Sequence, residues 1–445
     1  MEVLVVLLAL QFLFFGLLVA AQSIPDRPIV AHLNEAVEDG TYGPNGRPDN
    51  MGSTSTSFDE CVAVGTGLGR PEYSAFERAA RMPRIGNCAT GPEDLAQLAR
   101  GERPENGSEY FRYWAGWTVL SRPTLALWGI DALRRISGAL LVISGAAFLF
   151  SVGRRTTAVY ALALVTPLLL ASNVLATPST SLNQAITLSA AFLSPILTVI
   201  GSSRGWRGML IGTAIGAAVY NYVDLMLVPA IPLMLSTAAA AAVTFVRTST
   251  LRSAFERGAA VAILWPLAFA FTWASRWFIA IVLLGWDDAI SVIRDKIEFR
   301  LGGASASVEP GVGPATRRNV EYWLTEVSTA SAVLLAAVVV VLAALVVAHR
   351  RFGPSRLTLF ALLALPACFV PAWYEVVRNH SQIHPGKAHM SIPVAVGVVV
   401  GAALFAASGV GRRDSRSTLA DAELGPTDEG PVWRERPLIN EGAQA

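Results

Sequence analysis

The sequence predicts an all-α membrane protein of about ten transmembrane helices with a large first extracytoplasmic loop, and three observations lead to this prediction. The chain is 53% hydrophobic and only 15% charged, whereas soluble domains carry about 25% charged residues. Its apolar residues are concentrated in repeated runs of roughly twenty, the length that crosses a bilayer core. Arginines recur in alternate loops between these runs, as the positive-inside rule expects of cytoplasmic loops.

The first apolar run covers 3–20, and residues 1–21 are predicted to form the first transmembrane helix. The small residues Ala20 and Ala21 resemble a signal-peptidase site, and cleavage there would leave nine spans. A signal peptide has a basic start and a shorter apolar core, but Glu2 is the only charge before this run, so we expect a retained span. The later spans are predicted at 137–152, 157–172, 185–201, 208–222, 225–246, 258–285, 328–348, 357–374 and 392–410.

Basic residues give these spans a direction. With the N-terminus in the cytoplasm, the opposite short loops 173–184 and 223–229 contain no lysine or arginine. The asymmetry predicts ten spans with both termini cytoplasmic in a multi-pass cell-membrane protein. Arg134 and Arg135 fall outside and are the local exception. The arginines of the predicted cytoplasmic loops are Arg154, Arg155, Arg204, Arg207, Arg247, Arg252, Arg257, Arg350, Arg351, Arg356, Arg412, Arg413 and Arg416.

This topology divides the chain into a few regions. Residues 22–136 form the extracytoplasmic loop, with a helix at 120–136 expected on the membrane interface. Residues 137–410 form the polytopic domain, whose outer loop 286–327 begins with an amphipathic helix. A further outer segment covers 375–391, and the polar tail 411–445 is predicted to be disordered. The net charge of +2, without a basic surface outside the short loops, gives no support for nucleic-acid binding.

In the first outer loop, Asp59 and Glu60 are adjacent carboxylates. Such groups can act as a general base or bind a divalent ion, and the alternative is a solvated acidic loop. Cys61 follows directly, and Cys88 lies in the same loop. An extracytoplasmic loop permits a disulfide between them.

Two further groups combine aromatic and basic side chains. Arg112 stands among aromatic residues that include Tyr113 and Trp114; these suit either a belt at headgroup depth or a platform for a sugar or lipid phosphate. Arg276 lies inside a predicted span, with Trp277 beside it. A guanidinium at that depth either extends towards water or pairs with an anion such as phosphate.

The densest polar segment follows the ninth predicted span and contains Asn379, His380 and His384. Two histidines four residues apart can bind zinc on one helical face. However, Pro385 and Gly386 follow at once, and the chain has no His-Glu-x-x-His pattern. Neutral imidazoles that hydrogen-bond a sugar hydroxyl or a phosphate are the preferred interpretation.

Several of these motifs together resemble a family of bacterial multi-pass membrane proteins that is likened to the GT-C class of glycosyltransferases. Arg112-Tyr113-Trp114-x-Gly116, followed by Arg122-Pro123, is similar to its arginine–tyrosine–tryptophan–histidine–glycine motif, with Ala115 in place of histidine. The segment 272–277 resembles its tryptophan–x–serine–lysine–tryptophan segment, with Arg276 for lysine. The segment 379–384 is similar to its asparagine–histidine–serine–tyrosine–isoleucine–histidine motif, and Phe58-Asp59 resembles its acidic position.

The resemblance implies a glycosyltransferase of cell-envelope assembly that takes sugar from a polyprenyl-phosphate donor at the outer face of the bilayer. It implies a base or ion ligand at Asp59 or Glu60, with His380 and His384 orienting donor or acceptor. The cofactor is unknown, with a divalent cation as the candidate. The expected substrate-binding residues are Arg112, Tyr113, Trp114, Arg276, Trp277 and Asn379. The alternatives are a lipid-linked saccharide transporter or flippase and a non-catalytic envelope scaffold.

Overall fold

The computed structural model describes residues 1–42, 57–86, 88, 91–102, 104, 107–301, 308–327, 331–339, 341–342 and 354–408, with the backbone alone at 57–59 and 296. Over these residues the protein is an all-α membrane protein. Seven helices are long and apolar enough to cross a bilayer, and up to nine spans result if each of two bent helix pairs counts as one. The predicted tail 411–445 lies outside the described residues.

Nearly all of the described elements are helices, and a two-residue antiparallel ladder pairs Pro83 with Glu109. In chain order the elements are α1 Glu2–Gln22, α2 Asp26–Glu38, α3 Ser57–Gly65, α4 Ala75–Arg81, β1 Pro83–Arg84, α5 Gly91–Ala99, β2 Ser108–Glu109, α6 Thr118–Gly153, α7 Ala158–Leu170, α8 Thr177–Thr180, α9 Leu182–Ser202, α10 Gly205–Val223, α11 Ala230–Thr248, α12 Leu251–Leu284, α13 Trp286–Leu301, α14 Pro314–Glu326, α15 Ser331–Val339, α16 Pro354–Ala364, α17 Phe369–Val376, α18 Arg378–Ile383, α19 Pro385–Ala388 and α20 Ser391–Ala407. Two 3-10 turns lie at Val174–Ala176 and Leu365–Cys368.

Helices α9 and α11 form the centre of the bundle. The most apolar stretches of α9 and α11 are 78% and 83% buried, against 22–28% for α1, α6 and α12, which therefore face lipid. Helix α10 packs along α9 through small residues. A Cβ at Gly212 would lie 2.2 Å from the carbonyl oxygen of Leu197, so glycine is what allows these backbones to approach.

The structure differs from the sequence prediction at α6. The predicted interfacial helix 120–136 and the predicted span 137–152 belong to one element, Thr118–Gly153, which is kinked at Gly129. Gly129 has φ 74°, a conformation that glycine adopts without the steric cost a Cβ would bring. The first half of α6 is held in place by Arg122, which donates to the carbonyl oxygens of Ala21, Gly67 and Ile24.

The region before α6 is cross-linked internally and joined to α6 by an ion pair. Cys61 in α3 and Cys88 form a disulfide, with their Cα atoms 5.4 Å apart. Next to it, Arg134 of α6 donates to the carboxylate of Glu60 at 2.6 Å. The ion pair holds α3 against α6, so that a side chain on α3 can contribute to a site formed by the bundle.

The segment after α17 is folded into the short helices α18 and α19. Glu375 accepts hydrogen bonds from the backbone N–H groups of Gly313 and Thr316 and from the Thr316 hydroxyl. A carboxylate there satisfies N–H groups that have no partner within helix α14. Glu375 therefore ties this segment to the outer loop before α14 and places α18 over the bundle.

Candidate functional site

A cavity of about 140 Å³ lies where α18 and α19 meet α3 and the segment between β2 and α6. Its walls come from six separate parts of the chain: α3, the segment after β2, the start of α9, the turn after α10, the end of α13, and α18 with α19. The residues that line it are Val62, Tyr110, Arg112, Tyr113, Asn183, Leu225, Leu227, Phe299, Arg300, His380, His384 and Lys387.

The described residues of these walls carry charge of one sign. Arg112, Arg300 and Lys387 are basic, His380 and His384 add two imidazoles, and no aspartate or glutamate is among the described residues that line the cavity. Basic groups drawn together in a partly dry pocket repel one another, and an anion that enters offsets that cost. The composition of the walls favours a ligand with concentrated negative charge.

Arg112 is held by aromatic rings on one side. Its guanidinium carbon lies 4.0 Å from the ring centre of Tyr110 and 5.5 Å from that of Tyr113, which is a cation–π arrangement. Its backbone oxygen accepts from the indole N–H groups of Trp273 and Trp277. Within the described part of the chain, the buried Nε of Arg112 has no hydrogen-bond partner.

Arg300 also lies close to Tyr113. It donates through Nη2 to the Tyr113 hydroxyl, and its guanidinium carbon lies 5.1 Å from the centre of the same ring. Only 6% of the Arg300 surface is exposed. Tyr113 thus spaces two arginines around one aromatic ring, and this pair forms one wall of the cavity.

Another part of the lining combines a lysine with a helix N-terminus. Lys387 donates through Nζ to the hydroxyl of Ser181 at 2.9 Å. Ser181 is the N-cap residue of the 21-residue helix α9, and its hydroxyl donates to the Asn183 amide oxygen. The N-terminus of a helix carries partial positive charge, so α9 adds to the field of Lys387.

His380 and His384 line the cavity with their ring centres 4.8 Å apart. His380 Nε2 lies 3.1 Å from the carbonyl oxygen of Leu225. A carbonyl only accepts, so this nitrogen carries the proton, and the neutral ring keeps Nδ1 as an acceptor. Burial, followed by the fields of His384 and Arg300, holds the pKa of His380 well below its ordinary value. His380 is therefore neutral at neutral pH.

Asp224 holds the turn that meets His380. Its carboxylate accepts from the backbone N–H of Met226 at 2.8 Å, and Met226 has φ 64°, an uncommon conformation for a residue with a side chain. Burial raises the pKa of Asp224 to about 7. The turn brings Leu225 and Leu227 to the cavity and presents the Leu225 carbonyl to His380.

Of the residues that the sequence proposes, the structure brings four to this cavity: Arg112, Tyr113, His380 and His384. Asp59 lies in α3, one helical turn before Val62, but its side chain is outside the described residues. Glu60 is buried and paired with Arg134. Its carboxylate is neutralised by Arg134 and does not line the cavity. Glu60 therefore forms a structural ion pair.

Arg276 is likewise outside the cavity. It is fully buried and donates to the backbone carbonyl oxygens of Tyr113, Ala79 and Ala80, so it neither extends to water nor faces a ligand. Its carbonyl partners offset much of the cost of a buried charge and join α12 to α4, while its Nη1 has no hydrogen-bond partner among the described residues. This arrangement orients the backbone of Tyr113 rather than forming a phosphate clamp.

The remaining predicted binding residues support the walls from behind. Trp114 is completely buried and donates to the carbonyl oxygen of Thr272. Trp277 lies beside Trp273 and contacts the backbone of Arg112. Asn379 is 2% exposed and does not line the cavity. These residues shape the site without reaching its interior.

Sequence reasoning missed Arg300, Lys387, Asn183 and Tyr110 as members of the site. One signal pointed to Lys387, since it is one of two lysines in the chain and lies three residues after His384. Arg300 lies at the end of the predicted amphipathic helix, and the sequence pattern gave no indication of where its side chain would point.

No three His, Cys, Asp or Glu side chains are grouped to hold a metal ion in the part of the chain that is described. Compared with known proteins, the chain matches no family model, no curated protein and no solved structure.

Proposed function

We propose that the chain is a GT-C-like membrane glycosyltransferase of cell-envelope assembly that transfers sugar from a polyprenyl-phosphate donor at the outer face. The observation that carries the proposal is the cavity with Arg112, Arg300 and Lys387 in its walls and no carboxylate among its described lining residues. Guanidinium and ammonium groups are the usual protein partners of phosphate.

The proposed topology has ten spans, with both termini in the cytoplasm. Its support is that each wall of the cavity comes from a segment that the arginine distribution assigns to the outside. Tyr110 and Arg112 lie in 22–136, Asn183 in 173–184, Leu225 in 223–229, Arg300 in 286–327, and His380 to Lys387 in 375–391. The five loops that the arginine distribution assigns to one side of the membrane thus line the same cavity.

In the proposed reaction, an acceptor hydroxyl oxygen attacks the anomeric carbon of the donor sugar. The bond from that carbon to the phosphate oxygen breaks, and polyprenyl phosphate leaves with the electron pair. The acceptor proton passes to a base, for which Asp59 is the proposed residue, at one helical turn from Val62. Arg112, Arg300 and Lys387 would stabilise the charge that develops on the leaving phosphate, while His380 and His384 would orient donor and acceptor.

Turnover tests this function directly. The full chain, purified into lipid nanodiscs, is mixed with isotope-labelled polyprenyl-phosphate pentose and hexose donors. We expect consumption of one donor, at a rate that falls at least tenfold in Arg112→Gln because a charge-assisted contact contributes about 1.5–3 kcal/mol. Arg135→Gln, which removes an exposed outer charge outside the cavity, is the matched control. If the donor is moved across the bilayer without cleavage, the protein is a flippase. If the donor is neither cleaved nor moved, the non-catalytic scaffold is the alternative that is left.

A further inference from the structure

We infer that the cavity distinguishes two forms of phosphate: it binds a dianionic phosphate monoester in preference to a monoanionic phosphodiester. This inference rests on the proposed presence of a phosphate in the cavity, but it does not require that the protein transfers sugar. It identifies the preferred ligand as the product-like end of a lipid carrier, or another terminal phosphate of the same chemistry.

The first argument is the number of basic side chains in the walls. Arg112 and Arg300 both lie close to the ring of Tyr113, and Lys387 lies beside Ser181, the N-cap residue of α9. A phosphodiester uses two of its oxygens in ester bonds and carries one negative charge. A monoester presents three terminal oxygens and, above its second pKa of about 6, nearly two charges. Only the monoester can offer a separate terminal oxygen to each of the three basic side chains.

The second argument is size. The cavity of about 140 Å³ is smaller than the range of about 300–1,000 Å³ that is usual for sites enclosing a whole small molecule. It suits one phosphate group whose single substituent leaves through the opening. A diester must accommodate a second substituent against Tyr110, Phe299 and Leu227, which are large side chains in the same walls, so the donor fits less closely than the carrier that leaves.

For the proposed reaction, this preference means that the cavity binds the phosphate of the leaving carrier more tightly than the phosphate of the donor. The donor is a diester, and the carrier that leaves is a monoester, so negative charge grows at the phosphate as the glycosidic bond breaks. A site that prefers the more highly charged form lowers the barrier to bond breaking. The same preference makes polyprenyl phosphate an inhibitor of the forward reaction.

Equilibrium binding to the full chain in nanodiscs tests the inference, with farnesyl phosphate and its methyl ester as matched ligands and inorganic phosphate as the soluble arm. At pH 7.5 we expect the monoester to bind about tenfold tighter than the diester, the effect of one further charge-assisted contact. The preference should shrink at pH 5, where the monoester gains a proton. Binding of inorganic phosphate in competition would indicate recognition of the phosphate itself, and its failure to compete would indicate a lipid headgroup; both agree with the inference.

Variants of the lining residues then test whether these side chains cause the preference for the monoester. Arg112→Gln and Lys387→Gln should each reduce it to about threefold or less, whereas Arg135→Gln should keep it. If a variant does not fold, the inference is still tested in the unmodified protein by the ratio of its affinities for the monoester and the diester and by the pH dependence of that ratio. Equal affinities for both esters at pH 7.5 would overturn the inference. A strong monoester preference without sugar transfer would reject the proposed enzyme and keep this site, whereas transfer with equal affinities would do the reverse.

Discussion

The guanidinium carbon of Arg112 lies 4.0 Å from the ring centre of Tyr110, so an aromatic face holds a cation at the wall of the cavity. A carboxylate in this place would neutralise the guanidinium, whereas an aromatic ring holds it without a counter-charge. The contact supports the proposed anion site, which is one of the two interpretations that the sequence left open for this loop; the other is an aromatic belt at headgroup depth.

Replacing Tyr110 tests this role of the ring. Tyr110→Leu removes the cation–π contact, worth about 0.5–2 kcal/mol, and should weaken binding of farnesyl phosphate by about three- to thirtyfold. Tyr110→Phe keeps the ring face and should remain within about twofold of the unmodified protein. Titration calorimetry in nanodiscs gives both affinities. A Leu variant that binds like the Phe variant would show that the ring does not position Arg112.

Arg276 provides a contrast between structural and binding roles. Arg276→Met leaves the carbonyl oxygens of Tyr113, Ala79 and Ala80 without their donor, and each buried polar group left unsatisfied costs about 1–3 kcal/mol. We expect a clear fall in the thermal unfolding midpoint of the purified protein. The fraction that stays folded should bind farnesyl phosphate with nearly unchanged affinity. A normal midpoint with lost binding would restore Arg276 as a phosphate ligand.

The buried imidazole of His380 predicts a particular dependence of stability on pH. Because its pKa is lowered in the folded protein, the unfolded chain takes up a proton there that the folded chain does not. Stability from this residue is thus present above the ordinary histidine pKa of about 6.5 and is lost as pH falls below it. His380→Gln can still donate to the Leu225 carbonyl but does not titrate. Between pH 7 and 5 its unfolding midpoint should fall less than that of the unmodified protein; parallel curves would contradict the assignment.

The proposed orientation predicts which positions a membrane-impermeant thiol reagent reaches in intact cells. Val312 is 85% exposed in a segment proposed to lie outside, and the Arg207 side chain is 83% exposed in one proposed to lie inside. With Cys368 replaced by alanine, Val312→Cys should be labelled in intact cells and Arg207→Cys only after lysis. The disulfide between Cys61 and Cys88 blocks their background reaction. The reverse pattern would invert the topology.

Much of the fold was readable from the sequence because the length and polarity of a transmembrane helix are local properties. The site was readable only in part. Arg112, Tyr113, His380 and His384 stand in short segments dense with polar and aromatic groups, and the structure places all four in the cavity. Asn183 stands apart from these segments in the chain, and only the folding of α9 against α19 brings it and Lys387 to the same place.

Arg276 shows why depth in a span does not by itself reveal a role. Its acceptors at Ala79 and Ala80 lie 197 and 196 residues away in the sequence, so no local pattern indicates that they exist. The kink of α6 was missed for a related reason. Gly129 permits the bend, but the contacts of Arg122 with the end of α1 stabilise it, and those contacts are tertiary.

The position of a bound lipid phosphate tests the central claim most directly. A structure of the full chain, determined by electron cryomicroscopy in nanodiscs with a polyprenyl phosphonate that cannot be cleaved, would locate the anionic group. The account predicts phosphonate oxygens within hydrogen-bond distance of Arg112, Arg300 and Lys387, with the chain leaving through the cavity opening. Phosphonate density elsewhere on the protein, with this cavity empty at saturating ligand, would contradict it.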